Sequence, residues 1–185
     1  MSEGTKQDYE MLQPAFESHA RPRLVPNLLS MLDLLKGPKL GYQVDRYQHS
    51  LQSASRALRN DERLDLVVGA LLPDVADCFA PQNHSDAAAT IVAPYVDAET
   101  HWIVKHHGIF QGYYYFHFLG MDQNARDKFT GHPHYEACRL FCEKYDQAAF
   151  DPDYDSEPLE FFEPMVRRVM ARPLASAYAK ALEQE

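Results

Sequence analysis

The sequence predicts an all-α fold. Apolar residues recur at helical spacing in one segment after another, as Val44, Tyr47, Leu51, Ala54 and Leu58 do in "VDRYQHSLQSASRALR". Helix punctuation separates these segments, with prolines and capping residues at their starts and glycines or prolines at their ends. Strand signals are nearly absent: "GYYYFHF" has the aromatic richness of a strand but lacks its polar alternation.

Taken in order, residues 1–23 are polar and mixed and read as a loose arm or a peripheral helix. "VPNLLSMLDLLKGP" reads as a short helix opened by Pro26-Asn27 and closed by Gly37-Pro38. The segment 44–59 comes next, then "ERLDLVVGALLPD", which is apolar almost all round and suits a central buried helix. "HSDAAATIVAPYV" and "DAETHWIVKHH" are two more helices, the second with Asp97 as its N-cap. "HPHYEACRLFCEKYDQAAF" is another, with Pro133 suited to its first turn. After "DPDYDSEP", the segments "LEFFEPMVRRVMA" and "LASAYAKALE" are expected to pack on the outside of the bundle. The resulting organisation is an arm over 1–23, a metal-binding helical domain over 24–150 and a helical extension over 151–185 packed on that domain.

The 18 basic and 27 acidic residues give a net charge of −9. An acidic surface repels phosphate backbones, so nucleic acid is not an expected partner. No apolar run approaches the roughly 20 residues of a membrane-spanning helix, and "MSEGTKQDYEMLQ" lacks the basic-then-apolar layout of a signal peptide. The 3 cysteines include no CxxC, and Cys138 and Cys142 lie one helical turn apart, so they read as small packing residues of a reduced, cytoplasmic protein.

The 9 histidines are an excess that calls for a reason. A helical bundle builds metal sites from the facing sides of several helices. His49 lies on one helix, Asp74 ends the next, His84 opens a third, His106 or His107 closes a fourth, and Asp146 lies on a fifth. Imidazole and carboxylate together suit iron, manganese or zinc, and two histidines with one carboxylate suit non-haem iron. His101, His132 and His134 are assigned to exposed or capping positions. The stretch "HHGIFQGYYYFHFLGMD" is broken by Gly108, Gly112 and Gly120 and crowded with Phe110, Tyr113, Tyr114, Tyr115 and Phe116. It suits either a wall over the metal pocket, with tyrosine hydroxyls and Gln111 orienting a polar substrate, or an aromatic plug filling the bundle end. Tyr42, Lys39 and Lys105 are further candidates for substrate contact, or else solvated surface residues.

The order His…(His)Asp…His…His…Asp resembles that of the HD-domain superfamily and its helical bundle. The segments "YQHSLQSA" around His49 and "FCEKYDQAAFDPD" around Asp146 resemble one branch of it, the HD-type mixed-valent diiron oxygenases. That branch includes myo-inositol oxygenase and the phosphonate-cleaving oxygenases, and the likeness covers roughly residues 40 to 150. The resemblance implies two irons: His49, Asp74 and Asp146 at the first, with Asp74 bridging to a second completed by His84 and one of His106 and His107. His107 is favoured because "HGIFQGY" sets Tyr113 six residues after it, as in the phosphonate enzymes. On this reading Asp74, His107 and Tyr113 carry the chemistry, and Tyr42, Asp77, Gln111 and Tyr114 face the substrate. Related enzymes often have a basic residue where Asp77 stands, which tells against an anionic substrate.

The family's ligand before the bridging aspartate falls on Pro73, which has no donor atom. Inside a helix, proline also clashes with the carbonyl four residues back (Gly69 here) at a cost of about 3 kcal/mol, and it pushes Leu72 from helical geometry. A weakened or empty first iron position is the expectation. The implied activity is oxygen-dependent oxidation or cleavage of a small polar metabolite, with a substrate and dioxygen as partners and a homo-oligomer left open. The alternatives are a metal-dependent phosphohydrolase and a non-catalytic small-molecule binder.

Overall fold

The computed structural model describes residues 3–174, apart from the side chain of Gln13; the segment "LASAYAKALE" lies almost wholly outside the described residues. The architecture is an all-α bundle, with no strand among the described residues. Its helices are α1 (Lys6–Asp33), α2 (Arg46–Arg59), α3 (Leu64–Leu71), α4 (His84–Val92), α5 (Ala98–Gln111), α6 (Tyr135–Phe141) and α7 (Leu159–Met170).

The first helix departs from expectation. It does not open at Pro26 but runs unbroken from Lys6, with Pro14, Pro22 and Pro26 inside it. A capping box starts it: Asp8 N–H donates to Thr5 Oγ1 at 3.3 Å and Thr5 N–H to the Asp8 carboxylate at 2.8 Å. Each proline removes one amide donor, and the carbonyls left over belong to Glu10, Ser18 and Pro22. All three residues are exposed, so water can serve the carbonyls. Only the last turns of α1 enter the core, through Val25, Leu28 and Leu32, and they pack on α7.

Helix α2 begins at Asp45, whose carboxylate accepts from Gln48 N–H at 2.8 Å. Its inner face is small and polar, with His49, Ser53, Ala54, Ser55 and Ala57 all buried. Helix α3 is buried along nearly its whole length and packs between α2, α5 and α7. The α3–α5 approach needs Gly69, because a Cβ there would sit 2.7 Å from Thr100 Cγ2.

Helix α5 is capped by Asp97, as its sequence predicts; the carboxylate accepts from Thr100 N–H at 2.7 Å. Thr100, Ile103, Val104, His107 and Phe110 form its buried face. Cys138 and Cys142 are fully buried against this helix, with their thiols toward the carbonyls of Ile103 and His107. They are packing residues. The segment 112–119 forms two short 3-10 turns rather than a strand, with the Phe116 ring lying directly over Gly112, where no Cβ would fit. Helix α6 starts at Tyr135, so Pro133 precedes the helix instead of occupying its first turn. The chain then crosses back over α2, where Gln52 Nε2 donates to the Asp151 carbonyl at 2.6 Å. Helix α7 closes the core with Leu159, Phe162, Val166, Val169 and Met170. None of the helices of the described chain is long and apolar enough to cross a membrane.

Candidate metal centre

The centre forms around Asp74, which is 2% exposed. Pro73 governs how it gets there. Helix α3 stops at Leu71, and Leu72 takes φ −108°, ψ 3°, outside helical geometry. The proline thus stands just past the helix end, where its missing N–H and ring clash are of little consequence. The expected helix-interior cost does not arise. A run of turns comes next, with Val75 N–H to Leu72 O at 3.2 Å and Asp77 N–H to Asp74 O at 2.9 Å, and these aim the Asp74 carboxylate into the bundle.

Its two oxygens meet different groups. Oδ1 lies 3.2 Å from His84 Nε2 and 3.3 Å from His107 Nε2. Oδ2 lies 3.3 Å from His49 Nε2 and 3.4 Å from Arg46 Nη1. His49 Nε2 is also 3.0 Å from Asp146 Oδ1. Backbone carbonyls fix the imidazoles from behind: Ala149 O is 3.0 Å from His49 Nδ1 and Val104 O is 2.8 Å from His107 Nδ1. A carbonyl only accepts, so Nδ1 carries the hydrogen and Nε2 is turned to the carboxylates. His84 Nδ1 is 3.3 Å from Pro81 O and 3.5 Å from the Asp77 carboxylate.

Asp146 reaches the centre through a helix defect. After α6 the chain widens into a π turn over Cys142–Asp146, closed by Gln147 N–H to Cys142 O at 2.8 Å. One extra residue in the turn re-aims the side chains at its end, a common device at functional sites. Tyr145 anchors the turn: its hydroxyl donates to Glu62 and accepts from Asn60, both at 2.6 Å.

The donors of Asp74, His84 and His107 lie within 4.8 Å of one another, the only such group of three among the described residues. They form a buried group able to hold a metal ion. Two neutral imidazoles and one carboxylate are a donor set that metals such as non-haem iron use, and Asp77 behind His84 is the outer carboxylate that often orients a ligating imidazole. Burial pushes Asp74 up, but the hydrogen bond from His107 and the charges of His49 and Arg46 outweigh it and hold the carboxyl well below its ordinary value. Burial lowers His107, yet its hydrogen bond to Asp74 and the nearby charges of Asp146 and Asp74 push it up to about 9. The two carboxylates thus favour the charged form of His107. Oδ2 of Asp146 is buried with no donor at all.

The remaining sequence candidates divide. His106 is not at the centre: its ring stacks on Trp102 at 4.2 Å and its Nδ1 donates to Trp102 O at 2.8 Å. On a helix, neighbours point about 100° apart, so only one of the pair can face Asp74, and it is His107. Tyr113 lies under the Arg126 guanidinium, 3.7 Å from ring centre to Cζ, and meets the Tyr114 ring edge-on at 5.5 Å. Asp77 is engaged with His84. Gln111 ends α5 one turn beyond His107 and is half-buried. Lys105 pairs with Asp86 at 3.9 Å on the surface, and Lys39 is exposed. Tyr42 does reach the site, stacked on Phe150 at 4.9 Å and under Arg46 at 5.1 Å.

Sequence reasoning missed Arg46 and Phe150, and within the aromatic stretch it singled out Tyr113 and Tyr114 but not Tyr115. Tyr115 is half-buried, and burial together with the nearby charges of Tyr42, Asp146 and Asp74 pushes its phenol up from the ordinary value, against the pull of Arg46. Arg46 stands three residues before His49, the spacing that sets two side chains on one helix face, and that was the available signal. No protein-family model matches the chain, and no curated protein matches it either.

Proposed function

We propose that this protein is an iron-dependent oxygenase of the HD type that oxidises or cleaves a small polar metabolite. The observation that carries the reading is the convergence of His84 and His107 on one oxygen of buried Asp74. Asp74, His84 and His107 would hold the ferrous iron, which would supply the activation of dioxygen beside the substrate. The protein's own part is preparation. The Val104 carbonyl and the Pro81–Asp77 pair hold the two imidazoles with Nε2 forward, so little reorganisation accompanies metal uptake. Tyr42 and Tyr115 offer phenols at the rim to orient hydroxyl or amine groups of a substrate, and the packed rings around His49 keep water from that side.

The test is anaerobic loading with ferrous iron, then oxygen-uptake assays against polyols, amino alcohols and phosphonates. Substrate-dependent uptake that disappears in His107→Ala is the expected result. Metal-dependent phosphate release from phosphomonoesters without oxygen uptake would assign the centre to hydrolysis instead.

A further inference from the structure

The HD-type resemblance implies two irons, but the His49 half of the centre already holds a cation. We propose that Arg46 takes the role of the metal ion at the first position, the His49 side over Asp74 Oδ2, so that the folded protein binds one metal ion per chain. The proposal rests on reading Asp74, His84 and His107 as the metal centre.

Several contacts hold Arg46 where it is. The His49 ring stacks on Phe150 at 4.4 Å, Phe150 on Tyr42 at 4.9 Å, and Tyr42 lies 5.1 Å beneath the guanidinium. From the end of that stack Arg46 Nη1 turns back to Asp74 Oδ2 at 3.4 Å, and Oδ2 in turn meets His49 Nε2 at 3.3 Å. The contacts close into a ring of five residues. Because Arg46 and His49 share one face of α2, the same turn of helix supplies both the imidazole and the cation. Arg46 is 26% exposed in its side chain, and its planar group is less strongly hydrated than an ammonium, which suits it to a half-buried ion pair.

The donor set on this side agrees. Pro73 offers no ligand, which leaves one imidazole and two carboxylates, and one of those carboxylates is shared with the other half. Its donors do not gather as closely as those of Asp74, His84 and His107. A dication at His49 would stand beside a fixed guanidinium with the same sign of charge, and like charges at that range repel strongly where water is scarce. An arginine cannot be deprotonated to relieve this. The proline and the arginine are thus complementary: one removes a ligand and the other supplies the charge the missing ion would have brought.

Metal per chain, measured by equilibrium dialysis against ferrous iron under anaerobic conditions and repeated with manganese, tests this. Wild type and Pro73→His should each take one ion, and Arg46→Lys should also take one because the charge is kept. Arg46→Met combined with Pro73→His should take two, with His49, the introduced imidazole, Asp74 and Asp146 as ligands; the unpartnered Asp146 Oδ2 then gains a partner. Bound manganese pairs show exchange-coupled paramagnetic spectra, which a single ion does not, so the second ion is identified as a neighbour of the first. Two ions in wild type, or two in Pro73→His with Arg46 in place, overturns the proposal and leaves the metal centre standing. One ion in the folded double variant overturns it as well. No ion in wild type overturns the metal-centre reading itself, and this proposal with it.

Discussion

One carboxylate serves two unlike neighbourhoods. Oδ1 of Asp74 faces His84 and His107, two groups that can each give up a proton and present a lone pair. Oδ2 faces His49 and Arg46, and the arginine keeps its charge at every working pH. The first side can take a cation, and the second side contains one. On the proposed reading, charge balance across a single buried side chain would be reached by an exchangeable ion on one face and a covalently attached one on the other. A tally of metal-binding residue types does not separate the two faces; the identity of the partner on each oxygen does.

Asp74→Asn breaks the comparison on both sides at once. The neutral amide should abolish stoichiometric metal binding and also leave Arg46 without its counter-ion, read as lost metal in dialysis and a lower melting temperature without metal. Retained metal at full stoichiometry would show that Asp74 is not the shared element. The next largest effect separates the faces. His107→Ala and His49→Ala both remove a buried, hydrogen-bonded ring and should each cost about 2–3 kcal/mol of metal-free stability in chemical denaturation. Only His107→Ala should also remove the metal. Equal loss of metal in the two variants would erase the distinction.

Much of this was legible in the sequence and some was not. The all-α class, the Asp97 cap and the convergence of His49, Asp74, His84, His107 and Asp146 follow from apolar spacing and from the order of ligand-type residues. Which of His106 and His107 faces inward depends on the rotation of α5, which here buries Thr100, Ile103, Val104 and Phe110 on the His107 side. The start of α1 differs from its sequence expectation because proline is a helix breaker only where the lost backbone bond cannot be replaced, and the carbonyls concerned lie in water. The resemblance pointed to Tyr113 by its spacing from His107, but 3-10 turns repeat every three residues, unlike an α-helix or strand, so spacing alone does not fix which way each ring of the aromatic run points.

A pH series sharpens the contrast further. The depressed Asp74 contributes stability above its ordinary value of 3.8, and that stability is lost as pH falls. His107, raised from 6.5 to about 9, contributes stability fully present below 6.5 and lost as pH rises through about 9. Metal-free protein should therefore weaken between those two values while its affinity for metal rises, since the proton on His107 must leave before an ion enters. Thermal melts with and without manganese across the range measure both trends; parallel curves would contradict them. The smallest effect expected is that of Asp77→Asn, which leaves the fold intact and lowers metal affinity about tenfold, in line with the loss of one outer-sphere partner. Titration with a metallochromic competitor reads this directly.

The chain carries a single tryptophan, and its position gives the His106 side of α5 an optical reporter. Trp102 lies between the His106 ring, 4.2 Å away at 26°, and the His132 ring, 4.4 Å away at 10°. A protonated imidazole in van der Waals contact accepts an electron from excited indole and darkens it. Burial holds His106 below its ordinary value, so the dimming that its protonation brings is expected at more acidic pH than for a free imidazole. His106 is the backbone neighbour of His107, and Trp102 lies on the same helix, α5. Steady-state emission from the native protein, with no label attached, should therefore dim on acidification, and emission that does not change would contradict this role of the stacked ring.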